Sequence, residues 1–228
     1  MKKIAFVVLL LFANSLCMAA SLNDSLNRIE SAWAEVYYSN NNNKPEVYLK
    51  LLQQAKDLSS QYPQAAEPLI WQAILIATNA DHQDAVSALD AIYEARKLLN
   101  QAIATDPKAL GGSAYVTLGT LYYMAPKWPL AFGDTEEAKK LLETALEINP
   151  DGIDSNYFYG DFLLSLDQHE QAARYFEKAL NAPIRKEQTY ADRQLQSEAR
   201  IALKNAQQHK ISKGRTIFHS LLSTVSLN

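Results

Sequence analysis

Residues 138–150, AKKLLETALEINP, decide how the chain is read. Ala138, Leu142 and Ala145 fall on one face of a helix, because positions four and three apart in sequence are neighbours on its surface. Pro150 then closes the helix, since proline cannot continue it. Alanine in such a stripe lets two helix axes approach closely, and the larger middle residue fills the groove alongside. The spacing recurs in Ala95, Leu99, Ala102 and Pro107 and, more loosely, in Leu51, Ala55, Leu58 and Pro63. In Ala172, Phe176 and Ala179 the proline comes one residue early, at Pro183. A stripe that returns in this way is the mark of stacked supersecondary units.

Upstream of the last two stripes lies a matching first helix. Tyr115, Leu118, Gly119 and Tyr122 precede one stripe, and Tyr159, Gly160 and Leu163 precede the other. Glycine at these places removes a side chain where the second helix of a hairpin crosses the first. The combined pattern resembles the tetratricopeptide repeat, in which aromatic, leucine, glycine and tyrosine lead to alanine, phenylalanine, alanine and proline. Residues 153–186 fit its length without a gap. The expected fold is all-α, a tetratricopeptide-repeat-like α-solenoid of about four helical hairpins plus a C-terminal capping helix. Helices are predicted over 24–38, 45–61, 65–79, 84–105, 113–124, 135–148, 155–166, 169–181 and 187–208.

Two repeats are stretched between their helices. In one, the excess lies around NADHQDAVSALD, residues 79–90; in the other it is YMAPKWPLAFGD, residues 123–134. Asp134 is placed to cap the helix that follows, with Glu137 completing a capping box. Two readings of the loop stand open. Trp128, Leu130 and Phe132 fold back as a plug over the hairpin end, as apolar residues of ordered loops do. Alternatively, Trp128 and Phe132 remain partly exposed as anchors for a partner or an apolar ligand.

Residues 1–20 read as a signal peptide: Lys2 and Lys3 open it, an apolar run from Ile4 to Phe12 follows, and small residues lead to Ala19 and Ala20. The run is too short for a permanent transmembrane anchor. Leu16 and Asn14 do not suit lipid attachment at Cys17, so the expectation is an exported, soluble, periplasmic protein. Past the leader there is no cysteine, and packing alone must hold the fold in an oxidising compartment. The formal net charge is −3, and losing Lys2 and Lys3 takes it to about −5, which leaves no electrostatic footprint for nucleic acid. The repeat domain is expected over 21–210, with 211–228 as a loosely ordered tail.

The run over 112–164 carries a further resemblance, which covers roughly residues 65–205 and is strongest at Pro126, Trp128 and Pro129, at Phe132-Gly133-Asp134 and at residues 149–154, NPDGID. It resembles exported bacterial tetratricopeptide proteins, the T component associated with TRAP transporters. The resemblance implies a non-catalytic helical body that contacts a transporter substrate-binding protein and holds a hydrophobic ligand. Members of that type are often lipoproteins, and the Cys17 context departs from them.

Placed on the repeat, the groove-facing positions are Glu67, Ile70, Ile74 and Ala77; Ser113, Val116, Thr120 and Tyr123; then Asp154, Tyr157, Asp161 and Leu164. This wall is apolar and aromatic with a few acids, and it offers no lysine–asparagine set for a peptide carboxylate. It suits an apolar or aromatic ligand, or a peptide side chain. The equal alternative is that Ile70, Ile74 and Val116 are covered by a neighbouring helix. Candidate contact residues are therefore Trp128, Phe132, Ile70, Ile74, Val116, Tyr123, Tyr157 and Asp161. No catalytic or metal site and no cofactor is expected. His169-Glu170 lacks the second histidine of a zinc-protease helix, since Ala173 stands there, and no phosphate loop or dinucleotide fingerprint occurs.

Overall fold

The computed structural model describes residues 22–40 and 43–208. The expected signal peptide and the 211–228 tail lie outside these residues. The described chain is built from nine α-helices: α1 over 22–37, α2 (Lys44–Gln61), α3 (Glu67–Ala80), α4 (Ala85–Thr105), α5 (Ser113–Met124), α6 (Thr135–Ile148), α7 (Ile153–Ser165), α8 (His169–Asn181) and α9 (Thr189–Gln207). Short 3₁₀ turns stand at Ala109–Gly112 and Lys186–Gln188. Consecutive helices pair as hairpins, α1 with α2 through to α7 with α8, and α9 covers the exposed side of the last pair. The hairpins nest side by side as an all-α solenoid.

The seams are those of the alanine stripes. Ala95, Leu99 and Ala102, then Ala138, Leu142 and Ala145, then Ala172, Phe176 and Ala179 are all fully buried. Opposite Leu142 stands Gly119, where an added Cβ would lie 2.7 Å from Leu142 Cγ. Opposite Phe176 stands Gly160, where it would lie 2.9 Å from the ring. Helix α4 ends at Thr105 and α6 at Ile148, two residues short of Pro107 and Pro150, as expected from proline's bias against helix in the residue before it. Between α4 and α5 the chain turns through Leu110, Gly111 and Gly112 with φ of 48°, 63° and 83°, a left-handed stretch that glycine makes accessible.

The two stretched repeats turn out to be one feature. The excess in the second hairpin does not form a loop; α4 starts at Ala85, capped by Asp84, whose Oδ1 accepts from Val86 N at 3.1 Å and Ser87 N at 3.2 Å. Its added turns then meet the long α5–α6 loop. Ala131 is buried in the same core as Ala88, Ala91 and Ile92, and the Phe132 ring sits edge-on to Tyr93 at 5.1 Å and to Tyr122 at 5.2 Å. Arg96 lies over the same ring at 4.5 Å, an arrangement that favours the cation.

The solenoid also meets itself. One face of α1, through Leu22, Leu26 and Ile29, packs on Tyr48, Leu51 and Ala55 of α2 and on Leu75 of α3. Its other face crosses the concave side. Trp33 sits edge-on to Trp71 at 5.8 Å and donates its indole N–H to Thr78 Oγ1 at 3.2 Å. Glu30 accepts from the Gln188 amide, and Tyr38 meets Tyr190 edge-on at 6.4 Å. The first helix thus touches the segment leading into the last.

Candidate functional site: a cavity on the inner wall

The inner helices α3, α5 and α7 run side by side, and α1 with residues 185–188 closes over them. What remains between is a cavity of about 120 Å3. Trp33, Trp71, Ile74, Ala77, Leu110, Val116 and Phe158 form its apolar walls. Ser113, Thr78, Thr117 and Thr120 add hydroxyls, and Glu30, Asp154, Arg185 and Gln188 gather at one end.

The charged end is built on Arg185, the residue just before the second 3₁₀ turn. Its backbone N–H donates to Asp192 Oδ2 at 2.7 Å, its Nε to Asp192 Oδ1 at 3.1 Å, and its Nη2 lies 3.1 Å from Asp154 Oδ2. The side chain of Asp192 is wholly buried, so this carboxylate depends on the pairing. The neighbouring carboxylates hold the Arg185 guanidinium firmly protonated against the opposing effect of burial. Glu30 behaves differently. Burial pushes its carboxyl up to about 8, and Asp154 and Asp192 add to the rise while Arg185 and the Gln188 hydrogen bond oppose it. Burial likewise raises Asp154, against the pull of Arg185.

Of the groove positions read from the repeat, Ile74, Ala77, Ser113, Val116, Thr120 and Asp154 line the cavity together. Ile70 does not: it is fully buried in the core between α3 and α4 and presents nothing to a ligand. Leu164 is likewise core, and Glu67 stands by the α2–α3 turn. Tyr123, Tyr157 and Asp161 form a separate polar knot. The Tyr123 hydroxyl donates to Asp161 Oδ2 at 2.6 Å, and that of Tyr157 to Glu198 Oε2 at 3.4 Å. Burial raises both phenols far above their usual range and also raises Asp161, tempered by the Tyr123 bond.

The loop divides the earlier pair of readings. Phe132 folds back, but Trp128 is 85% exposed and Leu130 57%, so neither belongs to a plug. Gly133 is required by close approach: its N–H donates to Pro126 O at 2.9 Å, and a Cβ there would come within 2.1 Å of Ala125 O. Asp134 caps α6 through Glu136 N at 2.9 Å and Glu137 N at 3.1 Å. The expected capping box is incomplete, because the Asp134 N–H is taken by Tyr122 O at 2.9 Å and Glu137 turns toward Lys140 instead.

Sequence reasoning missed Glu30, Trp33, Trp71, Phe158, Arg185 and Gln188. A signal existed in α1, where Leu22, Leu26 and Ile29 mark one face and Glu30, Trp33 and Tyr37 a second at helical spacing. A helix with two such faces has two neighbours. For Arg185 and Gln188, which lie outside the repeat period, no local signal exists.

Residues 130–183 match the tetratricopeptide-repeat family model. That span takes in α6, α7 and α8, with the stripes at Ala138 and Ala172. The crystal structure of MamA protein is similar at 16% identity, covering 79% of this chain and 91% of that one with a TM-score of 0.41. No curated protein matches the chain. Tetratricopeptide repeats are in general protein-interaction scaffolds, and the described residues hold no cluster of three metal-ligating side chains and no helix long and apolar enough to cross a membrane.

Proposed function

We propose that the protein is a non-catalytic, exported tetratricopeptide scaffold that docks another periplasmic protein, acting as an accessory of a TRAP-type transporter. The observation that carries this reading is the loop at 125–134. It shows Trp128 and Leu130 to solvent from a base fixed by Phe132, Gly133 and Asp134. Aromatic side chains on a rigid base lose little entropy on binding, which is why they recur as anchors. The concave face supports the same choice, because α1 already occupies the place where an extended peptide would lie. The test is direct binding to a TRAP-type substrate-binding protein by calorimetry. Trp128→Ala with Leu130→Ala should weaken it at least tenfold with the fold intact; unchanged affinity overturns the proposal.

A second reading is favoured by the cavity itself. Its size and mostly apolar walls suit a small molecule and exclude a peptide segment. Native mass spectrometry of the purified protein tests it: a co-purifying small molecule supports the reading, and Ile74→Trp, which fills the cavity, should expel it. Retention of the molecule by that variant overturns the reading.

A further inference from the structure

The hydrogen bonds at the cavity wall have a common direction. The Thr78 hydroxyl donates to Ile74 O at 2.7 Å, Thr117 to Ser113 O at 2.9 Å, and Thr120 to Val116 O at 2.8 Å. The Trp33 indole N–H is spent on Thr78. Each of these donors is turned back into its own protein, so the three threonine oxygens have only lone pairs left to offer. Gln188 repeats the pattern: its amide nitrogen donates to Glu30, while its buried Oε1 has no partner. A buried acceptor without a donor is costly, and a molecule entering the cavity relieves that cost only by donating.

The charges point the same way. Three carboxyl groups, of Glu30, Asp154 and Asp192, stand around a single guanidinium, and Arg185 is already shared between Asp154 and Asp192. Arg185, the one cation among the lining residues, is held by Asp154 and Asp192, so an anionic ligand would compete with both carboxylates for it, whereas a cationic one would join them. Trp33, Trp71 and Phe158 also line the cavity, and aromatic rings attract a cation. Resting on the small-molecule reading above, we infer that the cavity is a site for an organic ammonium: a compact apolar body against Ile74 and Val116, with its charged N–H donors directed at Glu30 and Gln188. The volume sets a limit: an engineered apolar cavity of roughly 150 Å3 takes a benzene, so about 120 Å3 here admits at most a single ring, with its amine standing in the polar opening toward the carboxylates.

Glu30 adds a signature. Burial pushes its carboxyl up to about 8, which keeps the proton on it at neutral pH, and an ammonium beside it favours the carboxylate. Uptake of the amine therefore releases a proton, with Arg185, Asp154 and Asp192 as the other charges facing the same point. The experiment is isothermal titration of the purified protein with benzylamine, benzyl alcohol and benzoate in buffers of differing ionisation enthalpy. Benzylamine should bind at least tenfold more tightly than the other two, with proton release. Glu30→Gln should erase both the preference and the release while circular dichroism is unchanged, and Ile74→Trp should abolish binding of every probe. Benzyl alcohol binding as tightly as benzylamine overturns the ammonium assignment and leaves the small-molecule reading intact. Binding that Ile74→Trp does not affect, or no binding by any probe, overturns both.

Discussion

At the scale of single residues, the strongest constraints come from places where one atom too many cannot be accommodated. Gly119 faces Leu142, a fully buried side chain whose branch point would lie 2.7 Å from an added methyl. Gly119→Ala should therefore destabilise by about 1–3 kcal/mol, the usual cost of overpacking, read as a lower melting temperature. Glu30 sets a second constraint, in protons. Its carboxyl ionises near the ordinary 4.5 when exposed and is pushed up to about 8 when folded. The folded state thus holds a proton that the unfolded chain has released, so stability falls as pH rises through that interval. Glu30 contributes fully below pH about 4.5 and its contribution is lost by about 8. Glu30→Gln should unfold like the parent at pH 5 and be the more stable of the two at pH 8, as measured by urea titration at each pH.

At the scale of elements, the α5–α6 loop separates structural from exposed aromatics within five residues. Phe132→Ala removes contacts with Tyr93, Tyr122 and Arg96 and should cost about 2–3 kcal/mol, at the lower end for an aromatic truncation because the ring is only partly buried. Trp128→Ala, at 85% exposure, should stay within about 0.5 kcal/mol of the parent. Chemical denaturation of the two variants side by side checks the contrast. The helices themselves were legible from the sequence because each repeats a local device: a small–large–small stripe, then proline. Predicted bounds such as 113–124, 135–148 and 169–181 coincide with α5, α6 and α8. The loop's packing was not legible, because its partners lie on α4, and nothing in the local pattern says that two irregular insertions serve each other. Ile70 shows the opposite failure. The repeat assigned it correctly to a first helix, but a side chain at the edge of a stripe can turn to either neighbour, and here α4 claims it.

At the scale of the whole molecule, the cavity exists only because distant segments meet. Glu30 and Gln188 are bonded across most of the chain, and a separation of that length leaves no trace in hydrophobic periodicity. That is why Ile74, Ala77, Ser113, Val116, Thr120 and Asp154 on α3, α5 and α7 were readable from the repeat, whereas the α1 and 185–188 side of the wall was not. Removing residues 22–40 should therefore do more than shorten the array. It uncovers Trp71, Leu75 and the inner wall together, and the truncated chain should bind the dye ANS and melt several degrees lower, whereas loss of an equally long terminal piece from an open solenoid affects only its immediate neighbour. The contact between Tyr38 and Tyr190 has one more consequence. Open helical arrays tolerate duplication, since a new unit simply lengthens the stack, but here an inserted hairpin would drive the two termini of the coil apart and unseat the pocket between them. The copy number is consequently set by circumference, and descendants of this protein can diversify by changing side chains on the rim far more readily than by growing.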